Sequence, residues 1–155
     1  MTAAMNEVDV GLPLTVQAKD PGPLSTPSPL SPEQIISGTP EALIADVYHS
    51  PDNTFHMSFW SCTSGRFTWS YLDVNEAITI LAGEAFVTTS DGVTHHLVPG
   101  VSMAFGRGET ATWHVPVYIR KMAIVHLQPR SFSRKVLDKL RREIRLRLRS
   151  PKAPA

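Results

Sequence analysis

Cys62 is the only cysteine in the chain, so neither an internal disulfide framework nor a cysteine-rich zinc module can be built. Charged residues are also scarce, at 19% against 42% hydrophobic, which excludes a disordered composition for the chain as a whole. Long hydrophobic runs are missing, and the unbroken apolar stretches fall far below the ~20 residues that a spanning helix needs. Met1 to Gly11 holds no basic segment followed by an apolar core, so no secretory signal is expected and a cytoplasmic location is. There is no phosphate-cradling glycine loop, no Gly-x-Ser-x-Gly elbow and no CxxC pair. What remains is a chain of 155 residues, the size of one domain with room for a core.

Charge is unevenly placed. From Gln128 to Ala155 there are ten Lys/Arg against Asp138 and Glu143, a balance of +8. The preceding 127 residues carry five basic and twelve acidic side chains, a balance of −7. Nucleic-acid binding would have to rest on the tail alone.

Three textures follow one another along the chain. Six of the thirteen prolines fall between Met1 and Pro32, with Ser, Thr and Gly among them. Each proline lacks an N–H and fixes its φ, so residues 1–35 are expected to form a flexible arm, disordered alone or extended on another surface. One turn of helix is predicted over Glu41–Ala45. From Thr54, aromatic and β-branched runs recur between turns: Phe55–Cys62, Arg66–Tyr71, Ala77–Leu81, Ala85–Thr89, Val93–Leu97, Val101–Phe105, Ala111–Val115 and Val117–Leu127. That spacing predicts an all-β sandwich or barrel, with the clearest hairpin at Asp91-Gly92. In the tail, Phe132, Val136, Leu140, Ile144 and Leu148 recur every four residues among arginines, which predicts an amphipathic basic helix over about residues 133–149.

The middle of the chain resembles the small single-domain cupins of the ureidoglycine aminohydrolase and ethanolamine-utilisation branch. The resemblance is carried by Trp60-Ser-Cys-Thr-Ser-Gly-Arg-Phe-Thr-Trp-Ser-Tyr71, Glu76, Leu81-Ala-Gly83-Glu84, Asp91-Gly92, Pro99-Gly100, Trp113 and Arg120-Lys121, after a lead-in at Ser37-Gly-Thr-Pro-Glu41. It covers residues 36–127 and implies a jelly-roll barrel of six to eight strands with a site in its lumen, flanked by the arm and by the tail of residues 128–155. Metal-binding cupins pair two histidines one residue apart with a Glu a few residues on and a third His later. Here Trp69 and Tyr71 stand at the histidine pair, Glu76 keeps the acidic position and Ala111 replaces the third histidine. One Glu and one phenol do not make a transition-metal site, so neither metal nor other cofactor is expected. The branch also implies a homodimer.

Candidate residues carry a functional and a structural reading side by side. Glu76 and Tyr71, if both point into the lumen, supply an acid/base and a hydrogen-bond donor. Otherwise Glu76 ties a turn and Tyr71 fills core. Lys121 shares its parity with Val117, Ile119, Ala123 and Val125, which turns it towards the interior unless Pro116 resets the register. A lysine there needs a counter-charge, from Glu76 or from an anionic substrate that it would anchor. Trp60, Trp69 and Trp113 either wall a ligand or pack the core. Cys62 reads as a buried inert thiol, and His95, His96, His114 and His126 have no metal-spaced partners.

Together these residues predict a protein that binds a small polar molecule in the lumen, with metal-independent acid–base chemistry on Glu76 as the enzymatic version. The alternatives are a non-catalytic ligand-binding or protein-interaction cupin, and a metal enzyme with atypical ligands. A lumen of about 300 Å³ or more separates the first from a barrel filled by tryptophan. The basic tail is expected on the acidic barrel or a dimer interface, next on an anionic membrane surface, and last on nucleic acid.

Overall fold

The alternating texture that begins at Thr54 becomes strands paired almost throughout. The computed structural model describes residue 17 and residues 19–127, and the helix expected in the tail lies outside the described residues. In chain order the strands are β1 (Thr26–Pro27), β2 (Ile35–Gly38), β3 (Ala42–His49), β4 (Phe55–Ser70), β5 (Val74–Gly83), β6 (Ala85–Thr88), β7 (Thr94–Leu97), β8 (Ser102–Phe105) and β9 (Thr110–Leu127). The only helical element among the described residues is a 3-10 turn at Pro32–Gln34, started by Ser31 and proline.

All the pairings are antiparallel, and the two long strands organise the rest. The first half of β4 and the second half of β9 give the order β1-β3-β4-β9-β5-β8. Beyond a break in register, β4 pairs instead with β2, and β9 with β6, which carries β7. The break lies where Thr63 faces Tyr118 but Gly65 faces Val115, leaving Ser64 opposite both Pro116 and Val117. Proline has no N–H to give a ladder, so the extra residue belongs there. The result is the jelly-roll barrel that the resemblance implies, with large side chains from β4, β5 and β9 turned inward. Fully buried Phe67 and Trp113 stack at 6.2 Å between ring centres, and Tyr71 and Phe105 stack at 4.3 Å.

Three expectations need correction. Glu41–Ala45 is not a helical turn, because Ala42–His49 is a strand whose two edges bond β1 and β4. A lone turn leaves its end groups unpaired, whereas this strand satisfies them along eight residues. The runs expected as separate, Phe55–Cys62 from Arg66–Tyr71 and Ala111–Val115 from Val117–Leu127, are joined, since β4 and β9 continue through the gaps as a matched bulge. Val117 sits in that bulge and is 74% exposed, although its parity on β9 is that of the interior residues.

The described part of the arm lies on the chain's own barrel. Arg120 pairs with Asp20 and donates to the Gly22 carbonyl at 2.6 Å, Thr26 and Pro27 face Ile44 and Leu43, and Leu30 enters the core. The arm therefore covers the outer edge of β3, which would otherwise offer unpaired backbone groups.

Candidate functional site

Period-two alternation builds the site. On β9, Ile119, Lys121, Ala123 and Val125 are all buried on one face, with Lys121 opposite Trp60 on β4 and Ile80 on β5. Val125 faces His56 on one side and Glu76 on the other. Three adjacent strands thus aim His56, Trp60, Lys121 and Glu76 into one lumen.

Lys121 and Glu76 meet there. The Lys121 Nζ donates to Glu76 Oε1 at 2.5 Å, with side chains only 8% and 6% exposed. The ammonium also lies 5.1 Å from the Trp60 ring centre and 5.2 Å from that of Trp113. A desolvated cation over an aromatic face gains about 2 kcal/mol, so the two indoles share the work of the carboxylate. Trp69 meets Trp60 edge-on at 6.3 Å. Beside the pair opens a cavity of about 120 Å³, whose wall includes Trp60, Trp69, Trp113, Glu76 and Lys121.

Tyr71 does not join them. It lies just after β4, wholly buried against Phe105, and is not among the residues lining the cavity. Burial, and then the nearby Glu76, push its phenol far above the usual range, while the Trp113 indole opposes that shift. Among the described residues neither the phenol oxygen nor the Trp113 Nε1 completes a hydrogen bond.

The sequence reading missed His56, Ser58 and Ser28, all of which line the cavity. The first two carried a signal, because they share the parity of Trp60 on β4. Ser28 carried none, being brought there by the arm. His56 stacks on His49 at 5.3 Å, and His49 in turn lies 3.7 Å from Asp46. Burial, reinforced by repulsion from His49, lowers the His56 pKa, and Asp46 and Glu76 oppose this. Cys62 is buried, and burial pushes its thiol up to about 11 despite the Lys121 charge. His114 and His126 are exposed on the opposite face of β9 from Lys121, away from Glu76.

The donor set does not fit the metal that many cupins carry. Trp69 faces Ala111 across β4 and β9, so two positions at which the resemblance implies ligands in metal-binding cupins present an indole and a methyl group. The acidic position that remains, Glu76, already holds an ammonium. Among the described residues no three His, Cys, Asp or Glu side chains converge.

Residues 49–123 match the family model of the EutQ-like cupin domain. No curated protein matches the sequence. Among solved structures, the EutQ protein of Clostridium difficile superposes with a TM-score of 0.50 at 15% identity, over 58% of this chain and 65% of that one. A Pseudomonas syringae protein of unknown function gives 0.62 at 21% identity, over 68% of this chain and 46% of that one. The ectoine synthase of P. lautus gives 0.51 at 17% identity, over 69% and 76%. Likeness at these identities shows the fold alone. The family match and the fold agree: residues 49–123 are similar to the EutQ-like cupin domain, and the strands they belong to form a cupin-like jelly roll.

Proposed function

We propose that the barrel lumen binds a compact polar molecule at the Glu76–Lys121 pair, with Glu76 able to give or take a proton there. The observation that carries this reading is a buried ion pair lining a cavity. An ion pair taken out of water is often no more stabilising than apolar residues of the same volume, so core packing alone gives little reason for it. Glu76 offers a second carboxylate oxygen to a bound donor. The Trp60 and Trp69 rings supply apolar walls, and Ser28 and Ser58 supply hydroxyls. Tyr71 has no direct part in this scheme, and Lys121 answers to Glu76 before it answers to any anion.

The volume favours a second reading. About 120 Å³ lies below the ~300–1,000 Å³ of typical ligand pockets, which suits a non-catalytic cupin whose lumen is largely filled by tryptophan. A melting-temperature screen of the full chain against small polar molecules, with and without chelator, decides between them. A ligand at a hundred times its Kd stabilises by about 2.7 kcal/mol, which is readily measured. The binding reading expects hits that ignore chelator and are lost in Glu76→Gln. A screen without hits, or hits indifferent to that substitution, overturns it.

A further inference from the structure

Among the described residues Lys121 is the only amine lining the cavity, and it has a proton acceptor in contact with it. We propose that Lys121 is a covalent site, forming a reversible imine with a small neutral aldehyde or ketone bound in the lumen. This rests on the lumen-binding reading above and goes beyond it by naming the bond and the ligand class.

The chemistry balances without any further reactant. Passing one proton from Nζ to Glu76 Oε1, along the hydrogen bond already made, leaves a neutral amine and a neutral carboxylic acid. The nitrogen lone pair attacks the carbonyl carbon, and the carbonyl oxygen takes the proton held on Glu76. Glu76 then removes a proton from the nitrogen and returns it to the hydroxyl. Water leaves, and the nitrogen lone pair closes the C=N bond. The sum is ammonium plus carbonyl giving iminium plus water, with no change of charge. The Trp60 and Trp113 faces and the Glu76 carboxylate that hold the ammonium hold the iminium equally well. Aliphatic and aromatic walls limit the water available to reverse the step.

The same census selects the ligand. The ionisable groups lining the cavity are Glu76, Lys121 and His56, and burial favours neutral His56. An iminium already neutralises Glu76, so a carboxylate on the substrate would find no second cation. The small volume restricts the rest to a few heavy atoms.

Full-length protein incubated with propanal and sodium cyanoborohydride, then digested and mapped by mass spectrometry, tests the proposal. A propyl group should accumulate on Lys121 at least about tenfold over exposed Lys19 in the same sample, a comparison that needs no variant. Pyruvate should label Lys121 less than propanal does, and Lys121→Arg, which cannot form an imine, should lose the adduct. Labelling of Lys19 equal to that of Lys121 overturns the proposal, as does preference for pyruvate. If propanal raises the melting temperature without reductant but leaves Lys121 unmodified with it, the imine is refuted and the binding reading stands. If neither propanal nor any other small polar molecule shifts the melting temperature, the binding reading itself fails.

Discussion

Replacing Glu76 by glutamine removes one charge and almost no volume, which makes it the sharpest probe of the lumen. Lys121 would keep a hydrogen-bond acceptor and both indole faces but lose its counter-charge, with only 8% of its side chain exposed. Breaking a buried pair from one side costs about 3–5 kcal/mol, and the surviving amide contact and indoles place the expectation near ~3 kcal/mol. With a urea m value of about 2 kcal/mol/M, the unfolding midpoint should fall by ~1.5 M at unchanged slope. The double variant Glu76→Gln, Lys121→Met removes both charges and leaves an apolar chain against the tryptophans. It should recover most of that loss, because a replaced buried pair is often neutral to stabilising by about 1–4 kcal/mol. Urea melts followed by tryptophan fluorescence measure all four corners of the cycle. Trp60 and Trp113 lie against the ammonium and report directly. An unchanged midpoint in the single variant, or strictly additive effects of the two substitutions, would refute the buried pair and the site built on it.

Tyr71→Phe should leave stability unchanged or raise it by about 1 kcal/mol, since the phenol is buried without a hydrogen-bond partner. Ligand-induced melting shifts should also persist, and their loss would return Tyr71 to the site. Gly83→Ala should lower the melting temperature sharply, by strain of about 1–3 kcal/mol plus a clash. Gly83 has φ +72°, and a Cβ there would lie 1.9 Å from the Tyr118 carbonyl oxygen. Cys62, with its thiol pushed up to about 11 by burial, should resist iodoacetamide at pH 8 in the native state and react in denaturant. Rapid native labelling would show that the β4–β9 contact over it opens readily.

The sequence by itself determined that Lys121 faces inward. Strict alternation over Ile119–Val125 turns Lys121 to the lumen because β side chains repeat every second residue, and Glu76 is the nearest carboxylate the resemblance offered. Asp91-Gly92 likewise fixed the β6–β7 hairpin locally, through a glycine at φ +83°. The same period contained His56 and Ser58, four and two residues before Trp60, so the string already carried their place in the wall. Other features came from contacts distant in the chain. Ala42–His49 became a strand because β1 and β4 hydrogen-bond both its edges, which no local propensity encodes. Tyr71 shares a parity with Trp69, yet it falls beyond the last residue of β4 and turns into the stack with Phe105. Ser28 reaches the cavity only because Arg120 and the β3 edge hold the arm in place, across nearly a hundred residues of sequence. The cavity's volume was the least accessible of all, since it is what remains after every indole and aliphatic group has taken its place. Period and turn chemistry act between neighbours and can be read from a string, whereas edges, stacks and voids are set by which distant segments finally meet.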